Sequence, residues 1–113
     1  MDFKTELIND VTILYVNLSR ATFNEAEIFK GLLSEKIETG AMKIVVDLSE
    51  CEFIDSSFLG ALVVNLKKAT SRGGDLKLCG LQSAVNSMFE LTRMNRAFEI
   101  FKSKTEAINS FIK

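Results

Sequence analysis

The chain has 113 residues, a formal charge of −1, 47% hydrophobic and 26% charged residues, the make-up of one ordinary globular domain spanning residues 1–113. Near-neutrality, with no basic run interleaved with aromatics, argues against a nucleic-acid-binding or anionic-membrane surface. No apolar run approaches the ~20 residues of a membrane span, and Met1-Asp2-Phe3-Lys4 lacks the layout of a signal peptide, so the expected location is the cytoplasm.

Phe3 to Ile8 and Val11 to Val16 alternate with period two around Asn9-Asp10, a hairpin signal whose turn lacks the favoured glycine. Asn17 to Phe23 reads as a loop. Asn24 is placed to cap a helix, with Glu25 and Glu27 in its first turn. Ile28, Phe29, Leu32, Leu33 and Ile37 follow at helical spacing, and Gly40 ends the helix. Ile44-Val45-Val46, within a strand from Lys43 to Leu48, is apolar without alternation, as in a strand buried on both faces.

After Asp55-Ser56-Ser57 a second helix carries Leu59, Leu62, Val63, Leu66 and Ala69 inward. Gly73-Gly74 stops it. Leu76 to Leu81 predicts a strand. Gln82 or Ser83 opens a third helix with Val85, Met88 and Phe89 inward, and Leu91 and Met94 also read as core, the alternative being a partner surface at the helix end. Phe98 to Lys102 predicts a short edge strand. Thr105 to Ile112 predicts a last helix with Ile108, Phe111 and Ile112 inward. The order β-β-α-β-α-β-α-β-α implies an α/β fold: a mixed sheet with parallel central strands behind an N-terminal hairpin.

Few residues offer chemistry. The chain has no histidine, which removes the commonest general base and triad partner. Cys51 and Cys79 are isolated, without a CxxC, and read as reduced structural residues. Zinc needs about four clustered ligands, and the sequence supplies no such cluster. Gly73-Gly74 belongs to no GxxxxGK[ST] or GxGxxG motif. Cys79-Gly80 reads as close packing, and Asp47 as a carboxylate bonding loop amides. No metal or other cofactor is expected, and an enzyme is the least favoured class.

Asp55-Ser56-Ser57 is the exception. Its plain reading is a helix N-cap. Its functional reading is a phosphorylation site, because hydroxyls at the positive end of a helix put a phosphate where the dipole favours it. A serine nucleophile is a third reading, without a base or a GxSxG turn to support it. Phe58 lies off the stripe of Leu59, Leu62 and Leu66, and is either half-buried by a neighbouring loop or a partner contact.

Three segments carry a family resemblance. They are Ile44-Val45-Val46-Asp47-Leu48-Ser49, Phe53-Ile54-Asp55-Ser56-Ser57 and Leu59-Gly60-Ala61-Leu62. Together they resemble the signature of STAS domains, and more narrowly the single-domain bacterial anti-sigma factor antagonists. Agreement continues through Gly73 to Leu78 and on to Phe98. The resemblance implies a small mixed sheet with about four helices packed mainly on one face. It also implies that Ser56 is phosphorylated by a serine kinase that is itself the anti-sigma factor. The unphosphorylated domain would bind that kinase and free the sigma factor, phosphorylation would break that complex, and a phosphatase would restore it.

The expected partner surface comprises Asp55, Ser57, Phe58, Arg20 and Asn24 around Ser56. Two positions depart from the family pattern. Phe58 stands where glycine is common, which would set its bulk beside the phosphoacceptor. Ser19 to Asn24 lacks the Gly-x-Leu-Asp that many members carry. The alternative to a switch is a STAS scaffold or accessory subunit of a stress-signalling assembly or a transporter, with Asp55 only a cap. A small-ligand module is the third choice. The chain itself is expected to be a monomer or weak dimer.

Overall fold

The computed structural model describes residues 2–112. In chain order the elements are β1 (Phe3–Ile8), β2 (Val11–Val16), β3 (Arg20–Ala21), α1 (Phe23–Glu38), β4 (Lys43–Asp47), β5 (Phe53–Ile54), α2 (Ser56–Ser71), β6 (Asp75–Cys79), α3 (Ser83–Leu91), a 3₁₀ turn (Met94–Arg96), β7 (Ile100–Phe101) and α4 (Lys104–Asn109). Strands β1, β2, β4, β6 and β7 lie side by side in that order. The first pair is antiparallel and the rest are parallel. The predicted mixed α/β fold is therefore the observed one. It gains two short strands that no sequence pattern marked, β3 and β5, which pair parallel in a sheet of their own.

The hairpin turns without glycine because Asn9 and Asp10 both take positive φ, 49° and 70°. Both central residues of a type I′ turn lie in that region, which short polar side chains reach more readily than others. Gly73, just past the C-cap of α2, has φ of 87° and ends that helix as predicted. A Cβ on Gly80 would lie 2.9 Å from Cβ of Ser49, so this glycine permits the close approach expected of it.

Ile44, Val45 and Val46 are fully buried because helices cover both faces of the sheet. Phe29, Leu33, Leu62, Val85 and Phe89, from α1, α2 and α3, share one core with Leu14, Ile44, Val46, Leu76 and Leu78. Ala107 and Ile108 of α4 close the other face over Val11, Ile13, Val45 and Cys79. Three helices on one face and one on the other match the expected arrangement.

Two polar side chains sit inside this packing. Asn65 of α2 is fully buried. It accepts from the Ser34 hydroxyl at 2.7 Å and donates to the Lys30 carbonyl at 3.3 Å, which ties α2 to α1. Lys77 of β6 runs beneath α4. Its ammonium donates to Ser110 Oγ at 2.8 Å, lies 3.2 Å from Glu99, and sits 4.1 Å from the Phe111 ring centroid. Its alkyl stem is covered while its charge stays partnered.

Several sequence expectations are corrected. Thr22, not Asn24, caps α1: Glu25 Oε1 accepts from the Thr22 amide at 2.9 Å, and Thr22 Oγ1 accepts from the Asn24 amide at 3.4 Å. A Thr-x-x-Glu capping box satisfies donors reciprocally, which a lone Asn cannot do. Asn24 lies exposed in the first turn. Ile28 is 69% exposed and Leu91 is 83% exposed, so neither is core. Ala26 takes the inward place beside Phe29 that Ile28 was expected to share. Helix α4 ends at Asn109, and Ile112 beyond it is exposed.

Candidate functional site

The pairing of β3 with β5 sets two helix N-termini side by side. Arg20 lies opposite Phe53, and Ala21 opposite Ile54. Each strand then runs into a cap residue, Thr22 for α1 and Asp55 for α2. Asp55 joins the two ends. Its Oδ1 accepts from the Phe58 amide at 3.0 Å, capping α2. Its Oδ2 accepts from the Phe23 amide of α1 at 2.9 Å. One carboxylate thus satisfies orphan donors of two helices.

Replacing Asp55 by alanine should cost roughly 2 kcal/mol, two caps at about 1 kcal/mol each. Asn, which keeps one carbonyl acceptor, should cost about half as much. Urea denaturation of both variants checks this, and an Asn variant as stable as wild type would mean that the Phe23 bond contributes nothing.

Ser56 and Ser57 are the first two residues of α2, and both are exposed. Among the described residues, no protein acceptor is recorded for their amides. Arg20 stacks on the partly exposed Phe53 ring, its guanidinium 4.3 Å from the centroid. Asn24 is exposed on α1. The structure therefore puts Asp55, Ser56 and Ser57 together on one rim, with Arg20 and Asn24 on the adjoining elements.

Phe58 does not belong to that rim. It is fully buried, and its ring stacks on Phe29 at 4.4 Å between centroids. The expectation of a partner contact there is corrected. At the third position of α2 the side chain turns inward against α1, and its bulk does not flank the Ser56 hydroxyl.

A groove of about 410 Å³ runs from the rim between α1 and α2, lined by Phe23, Ala26, Lys30, Ser57, Gly60 and Val64 among others. Phe23 is 68% exposed and Val64 44%. Sequence reading placed Phe23 in a loop and left Val64 unremarked. The signal available was a large apolar residue just after a Thr-x-x-Glu cap, in a position too early to join the core stripe. The cysteines lie apart from this chemistry. Both are free and buried. Burial raises the Cys51 thiol. It also raises the Cys79 thiol, with help from the nearby Asp47 charge, to about 12. Asp47 Oδ1 accepts from the Ser49 amide at 2.9 Å, as expected of a loop-bonding carboxylate.

The family model described as the STAS domain matches residues 2–107. The chain belongs to the STAS domain family. It is 33% identical over 107 residues, 94% of each chain, to a Thermotoga maritima protein whose name places it among the anti-sigma factor antagonists. A crystal structure from the same organism, so titled, has a TM-score of 0.92 at 30% identity and covers 98% of this chain and 95% of that one. The Bacillus cell fate determinant SpoIIAA, in its phosphorylated form, shares this fold with a TM-score of 0.76 at 17% identity, covering 96% and 98% of the two chains. Among the described residues of this STAS domain no helix is long and apolar enough to cross a membrane.

Proposed function

We propose that this STAS domain is an anti-sigma factor antagonist, acting in the cytoplasm, whose binding is switched by phosphorylation of Ser56. The unphosphorylated form docks on an anti-sigma factor that is also a serine kinase, and so frees a sigma factor. The kinase transfers the γ-phosphoryl group of ATP to Ser56 Oγ, which breaks the complex. A phosphatase restores the hydroxyl. The protein acts as a regulated binding partner and catalyses nothing.

The observation that carries this reading is the rim itself. Two exposed hydroxyls stand at the N-terminus of a 16-residue helix, while the neighbouring carboxylate is bonded to two backbone amides. A phosphate there brings about −1.5 to −2 charges to the positive end of the helix dipole, so the fold tolerates it. What changes is the surface a partner meets. The groove between α1 and α2, with exposed Phe23 and Val64 beside Ser57, supplies apolar contact area continuous with the switch. Support also comes from the names of the relatives.

Incubation with ATP and the serine-kinase anti-sigma factors of the source organism, followed by mass spectrometry, tests the assignment. Phosphate should appear on Ser56 and vanish in Ser56→Ala. Phosphate on Ser57 alone would move the switch by one residue. No phosphate with any such kinase would leave Asp55-Ser56-Ser57 a helix cap and favour the scaffold reading.

A further inference from the structure

Among the described residues, strand β1 has a neighbour on one side only, so half of its backbone groups face away from the sheet. The register says which half. The Asn17 amide donates to the Asp2 carbonyl at 2.8 Å, extending the ladder that runs from Phe3–Val16 to Ile8–Val11. Bonded and non-bonded pairs alternate in an antiparallel ladder. Asp2, Lys4, Glu6 and Ile8 therefore bond inward to β2, and Phe3, Thr5 and Leu7 turn their N–H and C=O groups to the free edge. Side chains alternate with the same period. Phe3, Thr5 and Leu7 lie on the α1 face, and Lys4 and Glu6 on the α4 face. Leu7 is 72% exposed at this edge.

A second copy meeting this edge across a two-fold axis must set outward-facing residues against outward-facing residues, which confines the axis to a residue of the strand. Centred on Lys4 or on Glu6, the pairing opposes identical charges, which destabilises it. Centred on Phe3 or on Leu7, it runs off the end of the strand. Centred on Thr5, it sets Thr5 against Thr5, Phe3 against Leu7, and Lys4 against Glu6 on both sides of the axis. The exposed Leu7 then gains an apolar neighbour. Glu6 is fixed on the α4 face of the sheet by its neighbours in the same copy. Its Oε1 accepts from the Tyr15 hydroxyl at 2.5 Å, and that hydroxyl accepts from Lys104 at 2.8 Å. Oε2 is left for the incoming Lys4.

We propose that β1 is a homodimerisation edge, on which two copies of this chain pair antiparallel in the Thr5-centred register and join their sheets. The self-complementary alternation of Lys4 and Glu6 about Thr5 carries the inference. Long flat edges normally invite unspecific pairing, and charges on them discourage it. Here the charges reject every other two-fold register that lies within the strand and accept one. An interface of one short strand per copy lies at or below the usual size for stable complexes, so the dimer is reversible.

Sedimentation equilibrium of the full unphosphorylated chain, at concentrations up to about 1 mM, tests this independently of the Ser56 switch. Wild type should show a monomer–dimer equilibrium that weakens as salt rises. Lys4→Glu and Glu6→Lys should each weaken self-association by at least about tenfold, since like charges then face each other twice. An equimolar mixture of the two variants should recover the wild-type equilibrium, because opposite charges are again opposed. Thr5→Pro should abolish dimerisation while circular dichroism stays native, since the N–H it removes serves no bond within the chain. A wild type that stays monomeric throughout would overturn the proposal. So would single variants that associate like wild type, or a mixture no better than either variant alone.

Discussion

Phe58→Ala is expected to lower the unfolding free energy by about 3–5 kcal/mol, the largest stability effect of any substitution near the rim. The side chain is fully buried and stacks on Phe29, which also packs against Phe3 with centroids 5.4 Å apart. The three rings join the hairpin, α1 and α2 in one cluster. Removing the α2 ring leaves a cavity that neither helix can close, because Asp55 and Asn65 hold the pair at a fixed separation. Loss of the stacked pair adds about 0.5–1.5 kcal/mol beyond the area term. Urea denaturation should show a lower midpoint with an unchanged slope, the signature of lost stability rather than an altered unfolded state. A loss below about 1 kcal/mol would mean that the site collapses around alanine and that Phe58 is replaceable.

The fate of Phe58 shows where sequence reading reaches its limit. The Phe58 ring fills the space against α1, and periodicity within α2 alone cannot show that α1 offers a place for it. The stripe of Leu59 and Leu62 was legible because both face the sheet. Phe58 and Asn65 face the neighbouring helix, and the pattern of one element does not contain its neighbour. The same holds at the N-termini. Asp55 was legible as the cap of α2, since its spacing to Phe58 is local. Its bond to Phe23, thirty-two positions away, depends on the two-residue strands β3 and β5, which are too short for any alternation to register. The hairpin, the central strands and the helix stops at Gly40 and Gly73 were legible because each rests on neighbours in sequence. The groove beside Ser57 was not, because it is made by the angle between two helices.

Ser56→Asp is expected to bind the proposed kinase partner at least a hundredfold more weakly than Ser56→Ala, a difference of about 2.7 kcal/mol. The two substitutions should act on stability in the opposite sense. Aspartate at the first position of α2 meets the positive end of the helix dipole, worth about 0.3–1 kcal/mol, while alanine forgoes this. A variant that is as stable as wild type or more so, yet fails to bind, places its defect at the docking surface and not in the fold. A carboxylate carries less charge than a phosphate, so the phosphorylated protein should bind more weakly still. Titration calorimetry against the kinase that modifies Ser56, with thermal melts of both variants, makes the comparison. Equal affinities for the Asp and Ala variants would refute a charge-driven switch, even with phosphate found on Ser56. The modification would then have to act by bulk at the rim. In that case Ser56→Gln, similar in size and uncharged, would weaken binding as much as phosphate does.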